Sequence, residues 1–173
     1  MARTVEQACQ DFLSHEKYRS GCNLFVIAVV QEFVSGAVHA ADNADAIIKK
    51  MHGAPFVWIG TNPDEATKQA AAGNVVLGGL TKAQMTYTTK SGQHRVATMG
   101  HVVVVVEGGP SRAGEVTLAS KVKQAVRGGY PYCYQGAAAS AYRFEDRTQV
   151  DAVFPGPLLD KVIYAYLPIA SAR

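Results

Sequence analysis

The chain has 173 residues, 17 Lys and Arg against 14 Asp and Glu, a formal charge of +3, and three cysteines. That length suits a single domain over residues 1–173 with its own core, and the dispersed basic residues exclude a nucleic-acid-binding pattern. An odd cysteine count excludes a fully paired disulfide framework, and the longest apolar runs are strand-sized, which excludes membrane insertion.

Thr4 to Lys17 reads as a helix. Thr4 is its cap, Gln7 completes a capping box, and Val5, Ala8, Cys9, Phe12 and His15 form the inward stripe. Tyr18 to Gly21 is a linker. Cys22 then opens an apolar helix ending near Val34, with Phe25, Ala28, Val29 and Phe33 on one face. Ala44 to Met51 is a third helix, stopped at Gly53. Phe56 to Ile59 is a short strand, and Trp58 on it is expected in the core. Asn62 caps and Pro63 starts a helix running to Ala72.

Val75 to Leu77 reads as a buried strand broken by Gly78-Gly79. Thr81 to Arg95 is a polar loop or hairpin. Val96 to Glu107 is the strongest strand signal, and its five consecutive valines predict cover on both faces. Val116 to Val126 reads as a helix or an inserted segment. Tyr130 to Gly136 is a strand expected beside the one that carries His101, followed by a small-residue turn over Ala137–Ala141. No assignment is made over Gln149 to Phe154. Pro155-Gly156-Pro157 is a break, Pro157 to Asp160 a helical turn, and Lys161 to Leu167 the last strand.

Two residues stand out chemically. Cys22 follows Ser20-Gly21 at a helix start, where unpaired N–H groups and the helix dipole favour a thiolate. His101 heads the valine strand and supplies the base a cysteine nucleophile needs. Gln135 is the candidate third group, accepting the other imidazole N–H. The bland alternatives are a buried structural cysteine, an internal histidine bonded to a carbonyl, and a strand-end glutamine facing water. His15, His39, His52 and His94 lack a comparable setting and read as surface residues. The backbone N–H of Cys22 is the candidate oxyanion donor.

Gly21-Cys22-Asn23-Leu24-Phe25-Val26, Gly100-His101-Val102-Val103-Val104-Val105 and Pro131-Tyr132-Cys133-Tyr134-Gln135-Gly136 together resemble the type VI secretion amidase effectors, small papain-like enzymes related to the NlpC/P60 group. The resemblance spans most of the chain from Cys22 to about Tyr166. It implies an α+β papain-like fold of NlpC/P60 type, with N-terminal helices packed on an antiparallel sheet of four to six strands. It also implies one catalytic amidase domain, with Cys22 as nucleophile and His101 as base. Gln135 stands where relatives carry a different third residue, cysteine in one branch.

The implied reaction is cleavage of the γ-D-glutamyl–meso-diaminopimelate bond of peptidoglycan stem peptides. The alternative bond is the diaminopimelate–D-alanine cross-link. No metal or organic cofactor is implied, because the thiol supplies the nucleophile. The implied partners are the peptidoglycan peptide, a periplasmic immunity protein covering the cleft, and the type VI apparatus, with the enzyme itself a monomer. An N-terminus without a signal-peptide pattern fits synthesis in the producer cytoplasm and action in a recipient periplasm. There Cys9 and Cys133 can pair, although both read first as core thiols. Two other classes stay open: a papain-like protease or acyltransferase, and a non-catalytic wall-binding module with a buried cysteine.

Overall fold

The computed structural model describes residues 1–118, 120–139 and 146–170. The chain begins with α1 (Val5–Leu13), and both halves of the Thr4–Gln7 capping box are formed. This helix ends short of the expected Lys17. The Ser14 hydroxyl bonds back to the Asp11 carbonyl, and the Arg19 guanidinium donates to the carbonyls of Leu13 and Ser14 at 3.1 and 3.3 Å. A cation at the helix C-terminus satisfies its unpaired acceptors. The chain restarts as α2 (Glu16–Arg19), so the expected linker is half helical, and His15 is exposed, off the apolar stripe.

Helix α3 (Cys22–Phe33) follows directly and is buried well beyond one narrow face, with Phe25, Val26, Ile27, Val29 and Val30 all in the core. Ala28, expected on the inward face, is only partly covered. The next elements are α4 (Ala44–Lys50), capped by Asn43, β1 (Val57–Gly60), and α5 (Pro63–Ala71), capped by Asn62 with Pro63 in its first turn. The remaining strands are β2 (Val75–Leu80), β3 (Tyr87–Thr88), β4 (His94–Arg95), β5 (His101–Val106), β6 (Gly114–Thr117), β7 (Lys123–Val126), β8 (Tyr132–Tyr134) and β9 (Thr148–Gln149). A short α6 (Val150–Val153) covers part of the stretch left unassigned above; a 3-10 turn (Gly156–Lys161) and β10 (Ile163–Leu167) end the chain. The expected Ala137–Ala141 turn lies partly outside the described residues.

The architecture is α+β. Six strands form one antiparallel sheet in the order β1-β10-β2-β5-β8-β9. Its two faces are both covered, as the unbroken valine run requires. Val102, Val104 and Val106 pack with α1, α3 and α4, while Val103 and Val105 pack with α5, α6 and the 3-10 turn. Each buried valine contributes roughly 1.5–3 kcal/mol of transfer free energy. Cys9 and Cys133 are free and buried in the packing of opposite faces.

Four expectations are corrected here. Gly78-Gly79 does not break β2, which runs through both. The ring of Tyr164 on β10 lies against Gly78, where a Cβ would come within 2.9 Å of it; at Gly79 a Cβ would come within 2.7 Å of the His101 carbonyl. The pair is a close-packing device in a central strand. The strand expected from Val96 starts only at His101, since Val96 and Met99 are exposed. Over Val116 to Val126, expected as a helix or an insertion, β6 and β7 pair antiparallel as a hairpin. Lys121, at a φ of 66°, closes its turn, and Leu118 exchanges backbone bonds with Lys121 and Val122. Trp58 is 44% exposed on the edge strand β1 and stacks on His52 with ring centroids 4.2 Å apart. Among the described residues no helix is long and apolar enough to cross a membrane.

Candidate active site

The start of α3 sets the first site residue. Gly21 precedes it in extended backbone and offers no side-chain cap. The first-turn N–H groups of α3 therefore stay available to other acceptors. The backbone N–H groups of Val102, from β5, and of Asn23 lie near the Cys22 sulfur and favour its charged form. The Asn23 side chain donates to the Asp42 carbonyl at 3.1 Å, which fixes the helix start against the following loop.

The sheet brings in the other two residues. His101 is the first residue of β5, and β8 pairs antiparallel with that strand through Val104–Tyr134. Gln135, immediately after β8, thus arrives beside His101. Its side-chain oxygen and the imidazole Nε2 are 2.5 Å apart. Because the amide oxygen is only an acceptor, Nε2 carries the proton and donates. Nδ1 is left for Cys22, which lies close enough to the imidazole for each group to shift the other's protonation. Gln135 is only 4% exposed, which removes the water-facing reading.

Charge follows from this geometry. Burial pushes the Cys22 thiol up, but the His101 hydrogen bond and positive charge, with the Val102 and Asn23 N–H groups, bring it below its usual value. Burial pushes His101 down, and the bond and negative charge of Cys22, assisted by Gln135, raise it above its usual value. Both shifts favour a thiolate–imidazolium pair.

Two supports were not legible in the residue types. Phe154 meets the His101 ring edge-on, with centroids 5.7 Å apart at 66°. Gly136 lets the β8 extension dock on the turn before Cys22: a Cβ there would lie 2.4 Å from the Tyr18 carbonyl oxygen and 2.6 Å from that of Gly21. The Ala137 N–H donates to the Arg19 carbonyl in the same contact, at 2.9 Å. A sequence signal for such contacts does exist, since Cys22, His101 and Gln135 each have a glycine as chain neighbour. His39, His52 and His94 are exposed, as expected, and so is His15.

Cys22, His101 and Gln135 line an open cavity of about 660 Å³. Leu24, Met85, Met99 and Leu118 share its wall with Ala137, Ala138 and Ala139, and no Asp, Glu, Lys or Arg lines it among the described residues. A second cavity of about 500 Å³ lies at the other end of β5. No cysteine or histidine lines it, and its Arg3 is already held by Asp11 and Glu32. Among the described residues no group of three His, Cys, Asp or Glu is placed to hold a metal. The arrangement is chemically suited to acyl transfer through a thiolate. No protein-family model and no curated protein matches the sequence.

Proposed function

We propose that the protein is a papain-like cysteine amidase that hydrolyses peptidoglycan peptides, with the γ-D-glutamyl–meso-diaminopimelate bond as its preferred target. The observation that carries this reading is that Cys22, His101 and Gln135 meet on the wall of one open cleft, with His101 hydrogen-bonded to Gln135 and electrostatically coupled to Cys22. A nucleophile on an N-terminal helix, facing a histidine on an antiparallel sheet, also supports the papain-like, NlpC/P60-type topology. In this reading the enzyme is delivered by a type VI apparatus and acts in a recipient periplasm, with an immunity protein as partner.

The steps follow from the residues. The Cys22 thiolate attacks the scissile carbonyl carbon. The oxyanion that forms takes a hydrogen bond from the Cys22 N–H at the positive end of α3. The His101 imidazolium then gives its Nδ1 proton to the departing amine as the C–N bond breaks. Water attacks the thioester, its proton passes to His101, and Cys22 leaves as thiolate. Gln135 holds the ring by accepting from Nε2 throughout. Being neutral, it orients the imidazolium without adding the charge a carboxylate would bring.

The test is digestion of meso-diaminopimelate-type peptidoglycan by the protein and by Cys22→Ala, with mass analysis of the muropeptides. Products made by the wild type alone support the proposal, and their masses identify the bond. Intact muropeptides with folded wild-type protein, under reducing conditions, contradict it. One observation favours a second reading. The apolar, uncharged cavity wall suits a papain-like hydrolase or acyltransferase that accepts an apolar acyl group. Turnover of long-chain thioesters in preference to muropeptides supports that reading.

A further inference from the structure

Two hairpins border the Cys22 cavity. Met85, Thr98 and Met99, on the segment around β3–β4, line one part of it, and Leu118, in the turn joining β6 to β7, lines another. The charge on these segments is one-sided. Residues 81–99 contain Lys82, Lys90 and Arg95 and no Asp or Glu. Residues 111–127 contain Arg112, Lys121, Lys123 and Arg127 against Glu115 alone. The two segments together thus carry a formal +6 in a chain whose total is +3, which leaves −3 on the rest.

All seven of these cations are exposed, and among the described residues Lys123 alone of them has an ion pair, with Glu115 at 3.4 Å. Asp45, on α4, accepts a hydrogen bond from the backbone N–H of Lys82 and not from its ammonium. Two basic stretches of the sequence thus each supply residues to the cavity wall, Met85, Thr98 and Met99 from the first and Leu118 from the second. The cavity between them carries no charged side chain among the described residues.

We propose that the cleft takes an anionic polymer whose scissile amide is flanked by small, uncharged groups, with its carboxylates held outside the cavity by the basic residues of the two hairpins. This rests on the amidase reading and narrows it. An uncharged floor leaves a free carboxylate beside the scissile bond without a partner, at a desolvation cost. Exposed cations at the rim attract anions over several ångströms and lose that effect as salt rises. Stem peptides whose carboxyl next to the cut bond is amidated should then be better substrates than those with it free, while carboxylates further out should help.

The first readout is independent of peptidoglycan. Cys22 is alkylated with iodoacetate, an anion, and with iodoacetamide, its neutral analogue, in wild-type protein and in Lys82→Gln/Lys90→Gln/Arg95→Gln/Lys121→Gln. The iodoacetate-to-iodoacetamide rate ratio should fall about threefold to tenfold in the variant and fall similarly for the wild type between low and high salt. Salt serves as the test if the variant does not fold. Binding of Cys22→Ala to isolated sacculi should weaken in parallel. A ratio and a sacculus affinity that ignore both the substitutions and the salt overturn the proposal. Wild-type failure to cut any muropeptide, with the ratio still responding, overturns the amidase reading and keeps the cationic rim.

Discussion

Cys22 and Cys133 are both buried free thiols, at 6% and 0% exposure, close to the same central strands, yet they are opposite in chemistry. Cys133 sits mid-strand on β8, opposite Val105. Burial pushes its thiol far up, and the negative charge of Asp151 adds to that. Cys22 sits at a strand end and a helix start, where burial acts the same way but is outweighed by an imidazole and two N–H donors. Burial alone makes a cysteine inert; the thiolate requires a cation and donors positioned by elements far apart in sequence.

The largest expected effect breaks the comparison outright. Cys22→Ala should lower turnover at least about a thousandfold, while Cys133→Ala should leave turnover within about twofold and instead lower stability by about 1–2 kcal/mol through lost packing. Muropeptide assays and denaturant melts of the two variants, run in parallel, check both arms. Loss of turnover in Cys133→Ala at full stability would sink the contrast.

His101→Ala should make Cys22 resemble Cys133. With the imidazole gone, burial is left as the largest influence, and the thiol should titrate above its ordinary 9.0 instead of below it. The sign runs the same way for activity. The wild-type thiolate is lost as pH falls through a value below 9.0, and the imidazolium is lost as pH rises through a value above 6.5. A pH profile of kcat/KM should therefore have its alkaline limb above 6.5, the ordinary histidine value. At neutral pH, alkylation of Cys22 in His101→Ala should slow by about tenfold or more.

Gly136→Ala sharpens the comparison by moving one region against the other. The added Cβ meets two backbone carbonyl oxygens on the turn before Cys22, and backbone cannot give way as a side-chain end can. A loss of about 2–4 kcal/mol in stability is expected, with turnover falling further than the unfolded fraction explains. Gln135→Ala should have the smallest effect of the set, roughly tenfold to a hundredfold on kcat with KM little changed. Gln135→Glu, which keeps the acceptor, should recover part of it. Equal loss in both would mean that the residue only packs.

The site was more legible than the scaffold. Cys22 at a helix start can be read from the Ser20-Gly21 break before its run, and His101 from its place directly before five valines, although the strand's start at His101 and not Val96 could not. Gln135 followed once its strand was placed beside that of His101. The errors have a common origin in tertiary contact. Gly78-Gly79 looks like a break, but the Tyr164 ring and the His101 carbonyl need the space that two missing side chains leave. Trp58 looks like core, but its strand lies at the sheet edge, a position set by pairing with β10 at the far end of the chain. Val116 to Val126 looks helical or inserted, but β6 and β7 pair across it, with Lys121 in the left-handed region between them. That these two basic stretches both reach the wall of one cleft is equally invisible until the two hairpins are placed.

The central claim is that Cys22 is a thiolate held by His101. Its most direct test is the pH dependence of iodoacetamide labelling in the folded wild-type protein, read at Cys9, Cys22 and Cys133 by peptide mapping. The account predicts labelling at Cys22 alone, with an inflection below 9.0 that moves up in His101→Ala. Protection of Cys22 equal to that of Cys133, or an inflection at or above 9.0 that ignores His101, would contradict it.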